Sequence, residues 1–231
     1  MFTHQNFLLL LLSMTAGSVD SIGFLGLGGL FAAHITGNIV ILSAHLVTGK
    51  FSQISPLLAV PIFMIVLGFV TAFAAHMKKK GVSVLLPLLV LQLILLIGSL
   101  FLSIIFGPFN NMDSAVAVTT GMLAVSAMAA QSATVKSALK KTPSTVAMTN
   151  NLTQLTLDLT FLVHERKTSE QEKQPVKEQA IITISSLLGF VIGCGFGATL
   201  QVLFGLKALL FPTTLALLCI VWALKIKNGT D

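Results

Sequence analysis

The sequence predicts an all-α polytopic membrane protein with six transmembrane helices, two re-entrant polar half-helices and an inverted three-plus-three internal repeat. Three observations carry that expectation. First, 55% of the 231 residues are hydrophobic and only 10% are charged, with a mean hydropathy of +0.93; soluble domains carry about 25% charged residues. Second, apolar runs able to cross about 30 Å of hydrocarbon recur at residues 7–33, 54–77, 82–109, 112–135, 180–206 and 208–224. Third, two further segments, 36–48 and 144–163, are too short or too polar to be ordinary spans.

The first run opens on Phe7-Leu8-Leu9-Leu10-Leu11-Leu12 like a signal-peptide core, but no Lys or Arg precedes it and its apolar character continues to Ala33. It reads as a retained first span. A fully helical 27-residue run is about 40 Å long, so tilt or a break is expected. Gly17, Gly23, Gly26, Gly28 and Gly29 make a break easy. Residues 36–48 then form the first half-helix, and two ordinary spans follow.

The second half repeats that order. A span at 112–135 carries Gln131-Ser132, and the segment 144–163 holds Thr149-Asn150-Asn151-Leu152-Thr153-Gln154. Asp20-Ser21 precedes Thr36-Gly37-Asn38 by about the distance that Gln131-Ser132 precedes Thr149-Asn150-Asn151. Irregular backbone at membrane depth is tolerated only where protein or water satisfies it, and paired interrupted segments point to a transporter's binding site. Residues 164–178 are charge-dense but balanced, and read as a cytoplasmic linker or a partner's docking site.

Loop charge sets the topology. With both half-helices re-entrant and the N-terminus cytoplasmic, only Lys50 and Lys207 of the 14 Lys and Arg face outward. If both half-helices crossed fully, the basic residues would divide evenly, so the positive-inside rule selects the re-entrant arrangement with both termini cytoplasmic. Three full spans per half is an odd number, which inverts the second half relative to the first. The net charge of +6 sits in short loops; it forms no stripe for nucleic acid.

Asp20 and Asp158 are acids inside long apolar segments. A carboxylate at bilayer depth costs on the order of 2.5–3.5 kcal/mol and usually marks a site. For Asp20 the functional reading is a proton acceptor or cation ligand; the bland one is a cap on a broken helix end, or pairing with His34. Thr36-Gly37-Asn38 starts a short helix whose free N–H groups suit an anionic or polar group, while Asn38 can also be a cap or interhelical tie. Asp158 either lines the cavity or is a solvated helix residue. The candidate substrate- or ion-binding set is Asp20, Ser21, His34, Thr36, Asn38, Gln131, Thr149, Asn151 and Asp158, with Asp20, Thr36, Asn38, Gln131, Thr149 and Asn151 converging on one mid-membrane cavity.

No usual metal-ligand spacing, phosphate loop or nucleophile elbow is present in the sequence, so no cofactor, no metal site and no enzyme activity are expected. Cys194 and Cys219 lie in apolar spans and read as buried hydrophobes. Gly189, Gly193 and Gly197 repeat at a spacing of four, the mark of close helix packing, either within the monomer or in a homo-oligomer.

The segment Ala16-Gly17-Ser18-Val19-Asp20-Ser21-Ile22-Gly23-Phe24, with Gly28-Gly29-Leu30-Phe31 and His34-Ile35-Thr36-Gly37-Asn38, resembles the signature of the YoaK family. These are small bacterial membrane proteins classed as a domain of unknown function. The resemblance implies a multi-pass protein of the bacterial inner membrane and supplies no substrate. In the second half, where the family tends to show Gln-Asn and a Thr-Gly-Thr-like core, this chain departs at Ser132 and Asn150. Together the residues lead to two expectations: a secondary transporter for a small polar solute, proton-coupled through Asp20, or a non-transporting assembly factor or subunit of a larger membrane complex.

Overall fold

A computed structural model describes residues 4–49, 53–139, 142–164 and 169–228. Every regular element among them is helical: α1 (His4–Gly26), α2 (Ile35–Thr48), α3 (Ser55–Lys79), α4 (Leu85–Phe106), α5 (Ala115–Ala138), α6 (Met148–His164), α7 (Glu170–Phe204) and α8 (Leu210–Asn228), with a 3-10 turn at Gly205–Leu209 between the last two. Five stretches are long and apolar enough to cross a membrane, and the fifth, Gln171–Lys225, takes in both α7 and α8. Ile35–Thr48 is a shorter apolar helix. The chain is a multi-pass helical membrane protein, and its exposed side chains such as Phe69, Phe101, Val202 and Val221 meet lipid.

The first apolar run breaks where glycine permits it. Gly28 and Gly29 adopt φ of 67° and 76°, a left-handed region that side chains disfavour, so α1 stops at Gly26 and the chain turns back. After α2 the chain returns to the place it left: the Gln53 side chain lies against Gly28, and the Ile54 N–H donates to Asp113 Oδ1 at 2.8 Å. Thus α2 begins beside Asp20 and ends at the same end of the bundle as α1. α6 behaves similarly at the other end. Its approach returns to Gln131, two turns inside α5, and α7 comes back to its start, with Ser186 Oγ 3.4 Å from the Ser144 carbonyl. Val135, near the end of α5, shares a core cluster with Leu8 and Leu12 near the start of α1, so these two ends lie together.

α1 and α7 form the central strut, running parallel. Gly189 packs on Leu10, Gly193 on Met14 and Gly197 on Ser18, so close that a Cβ would overlap α1 backbone. Gly17 reciprocates against Phe190 and Cys194, and Ser13 and Ser186 share a hydrogen bond of 2.8 Å. This corrects the homo-oligomer expectation for Gly189, Gly193 and Gly197: their small faces are occupied by α1 of the same chain, leaving nothing to offer a second copy. α5, rich in small residues, packs between α3 and α4 with Ala124, Ala127, Ala129, Ala130 and Ala133 buried.

The charge-dense stretch 164–178 is not a linker throughout. Residues 170–178 are the first turns of α7, which runs for 35 residues through Pro175. A helix of that length spans about 52 Å, so its charged start extends beyond any hydrocarbon layer. Lys50, Lys140, Lys141, Arg166 and Lys167, which enter the count of basic residues, lie outside the described residues, as does Glu165.

Candidate functional site

Each short helix begins at a bracketed turn, here called a tip. In the first, Asn38 is fully buried and clasps the Phe31 peptide with both ends of its amide. Its Nδ2 donates to Phe31 O at 2.7 Å, and its Oδ1 accepts from Phe31 N–H at 3.0 Å. In the second, Asn151 Nδ2 donates to Ser144 O at 2.6 Å, again seven residues back. Both tips use an asparagine one turn into the helix to fix the loop before it. A buried peptide group without a partner costs roughly 1–3 kcal/mol, so these amides hold the turns where no helix ladder can.

The preceding helix secures each tip. Asp20, only 4% exposed on α1, accepts from Ala33 N–H at 2.6 Å through Oδ1 and from His34 N–H at 3.0 Å through Oδ2. It therefore satisfies the two N–H groups just before α2, beside a helix start whose dipole favours negative charge. Its contact with His34 is to the backbone, not the ring. At the second tip Gln131 of α5 plays the anchoring part: Nε2 donates to Thr145 Oγ1 and to Leu12 O, both at 2.9 Å. The N–H groups of Val146 and Ala147 go instead to Ser144 Oγ, at 3.3 and 2.9 Å.

The two tips meet at a cavity of about 310 Å³. Ala33, His34, Ile35 and Thr36 line it from one side, and Val146 to Asn150 from the other, with Phe63 of α3 between. Its polar lining residues are His34, Thr36, Thr149 and Asn150, and no described acidic residue lines it. The second helix start, whose approach meets only the neutral Ser144 hydroxyl, favours an anionic or hydrogen-bond-accepting group here, whereas the dipole of the first is already faced by Asp20.

The expected residues are thus distributed over three places. His34, Thr36 and Thr149 line the shared cavity. Asp20, Ser21 and His34 line a neighbouring cavity of about 480 Å³, so His34 stands in the wall between the two. Asn38, Gln131 and Asn151 lie buried behind the tips and line neither. Asp158 sits further along α6, buried, with Oδ1 accepting from Gln154 Nε2 at 2.7 Å and Oδ2 without a hydrogen bond.

Sequence reasoning passed over four contributors. Gln92 on α4 is fully buried and donates through Nε2 to Gln131 Oε1 at 2.7 Å, extending the anchor across the bundle. It is a lone polar residue in Leu88-Leu89-Val90-Leu91-Gln92-Leu93, the same signal that singled out Asp20. Ser144 and Thr145 belong to the polar run that marks the second half-helix, but nothing in the sequence gives either a role of its own, and Phe63 is an ordinary residue of an apolar span.

The family described as "Protein of unknown function (DUF1275)" matches residues 8–222, nearly the whole chain. The chain is also similar to the UPF0700 transmembrane protein YoaK of Bacillus subtilis (strain 168), 52% identical over 52 residues, a match covering 22% of each protein. No solved structure matches. The chain belongs to the DUF1275 family, as its first-half motif implied.

Proposed function

We propose that this DUF1275 protein is a secondary transporter of a small polar solute, held between the two tips and exchanged across the bacterial inner membrane. The observation that carries the reading is the shared cavity of about 310 Å³, which takes polar groups from both half-helix starts. Discontinuous helices with their N-termini at a common site are a recurring device of alternating access. The matching amide brackets, and the doubling back of α2 and α6 at opposite ends of the bundle, support an inverted repeat with halves of about 7–106 and 112–224. Asp20 is the coupling group: a carboxylate that holds the first tip while ionised loosens it when protonated, and a rocking half exposes it to each side in turn. The chain's own groups then bind and release, with no enzyme chemistry. Both termini face the cytoplasm, because that leaves only Lys50 and Lys207 of the 14 basic side chains outside.

A panel of small polar solutes, screened by thermal stabilisation of the purified protein, tests this. A solute that binds should raise Tm in wild type and fail to do so in Thr149→Trp, which fills the cavity from an exposed position. In proteoliposomes Asp20→Asn should exchange that solute but not accumulate it against a proton gradient. A panel in which nothing stabilises the protein would favour a non-transporting assembly factor or subunit.

A further inference from the structure

Beyond the solute cavity, the neighbouring cavity of about 480 Å³ has a different chemistry. Asp20 lies at its polar end, and Phe24, Phe31 and Phe190 supply aromatic walls, with Ala198 of α7 on the remaining side. Phe24 and Phe31 are stacked at 5.0 Å, and the His34 ring stands edge-on to Phe31 at 5.9 Å. Phe24 and Leu25 border the opening and are 46% and 51% exposed on a surface of apolar side chains, so the cavity opens sideways toward lipid.

The carboxylate here lacks a cation. Its contacts are backbone N–H groups, no described Lys or Arg lines the cavity, and no ion pair joins Asp20 to any described side chain. Partial charges of peptide groups and a helix start offset about half an elementary charge. Phenyl faces beside a carboxylate complete a familiar chemistry: ring quadrupoles attract a cation whose hydration is weak, more strongly when it is desolvated. A small metal ion would keep its water and gain little from three phenyl rings. A hydrophobic organic cation loses little water and fills the apolar volume.

We propose that this lateral cavity is a binding site for amphiphilic monovalent organic cations, with the charge against Asp20, the body against Phe24, Phe31 and Phe190, and access from the bilayer. The site is separate from the solute cavity, and only His34 belongs to both.

The probe is tetraphenylphosphonium, measured by equilibrium dialysis against the purified full chain in a neutral detergent, with empty micelles subtracted. Wild type should bind one equivalent saturably, whereas tetraphenylborate, of like shape and opposite charge, should show no saturable binding. Asp20→Asn should weaken binding at least about tenfold, since a charge contact of that size is worth one decade in Kd. Because that variant also alters the first tip, two others decide the matter if it fails to fold. Phe24→Ala, at an exposed position, should weaken binding about threefold to tenfold, and Ala198→Trp should abolish it, both in protein that remains folded and monodisperse. Thr149→Trp, in the other cavity, should leave it intact, so the solute reading and this one fail separately. Absence of saturable binding to wild type, equal binding of the borate, or full binding in Ala198→Trp would overturn the proposal.

Discussion

The first tip and the second are built to one plan and finished with different chemistry. In both, an asparagine one turn into a short helix holds the carbonyl seven residues before it. In both, a polar side chain of the preceding long helix reaches the loop, Asp20 from α1 and Gln131 from α5. The difference lies in what receives the two N–H groups just before the helix. At the first tip it is a carboxylate from another element; at the second it is Ser144, local and neutral. The brackets set the shape of the turn, and the acceptor sets its charge. The first tip therefore holds an ionisable acceptor, and its counterpart a neutral one.

The broadest way to break this comparison is to remove what both tips rest on. Gly193→Leu would drive a side chain into the Met14 backbone of α1, in the strut that carries Asp20 and, through Leu12, receives Gln131. Backbone cannot move aside as a flexible side chain does, so the overpacking cost exceeds the usual 1–3 kcal/mol. The expected outcome is loss of the monodisperse protein on size exclusion, and no tip variant should match it. Recovery of a well-folded Gly193→Leu protein would show that the strut is looser than its glycine contacts imply.

Next in size is Asp20→Ala. It strands the Ala33 and His34 N–H groups, each in a charge-assisted bond worth roughly 1.5–3 kcal/mol. A net loss of about 2–4 kcal/mol is expected after partial relaxation, read as a lowered denaturation midpoint. Asp20→Asn, which keeps one acceptor, should lose less. Equal losses in Asp20→Ala and Asp20→Asn would mean that the first tip is held by something other than that acceptor.

Much of this arrangement was legible before the structure. Asp20 stood out because an acid in an apolar run is costly, and Thr36-Gly37-Asn38 with Thr149-Asn150-Asn151 stood out because polar clusters interrupt hydrophobic periodicity. Hydropathy places helices, but it is silent about which side of a polar residue faces a cavity. Asn38 and Asn151 point backward into the loops while their neighbours Thr36, Thr149 and Asn150 line the space, a distinction made by single-turn geometry. The helical start of α7 was hidden because charged residues carry no apolar stripe, although Gln and Glu are good helix formers. The role of Ser144 was hidden too, since its value depends on two N–H groups that only the folded turn brings to it.

The brackets themselves should behave alike, which sharpens the comparison. Asn38→Ala and Asn151→Ala each remove a buried amide that holds a loop carbonyl, and each should cost roughly 1–3 kcal/mol. Asn38→Ala should be the costlier, because Asn38 also accepts from the Phe31 N–H. Paired denaturation curves check this. A large loss at Asn38 with none at Asn151 would mean that the likeness of the tips is superficial.

The smallest effect belongs to Ser144→Ala, and it is the most discriminating. The hydroxyl accepts from Val146 N–H at 3.3 Å and Ala147 N–H at 2.9 Å, the first of these long for a strong bond. The Ser144 carbonyl keeps its ties to Asn151 and Ser186 when the hydroxyl is removed. Ser144 is half-buried and the cavity lies alongside Val146 and Ala147, so water can reach the freed N–H groups. A neutral bond replaced by water costs about 0.5–1.5 kcal/mol, below the loss expected for Asp20→Ala. That gap measures what the carboxylate adds at an otherwise equivalent turn. If Ser144→Ala costs as much as Asp20→Ala at the same pH, the charge adds nothing to the first tip, and the proposed proton coupling loses its physical basis.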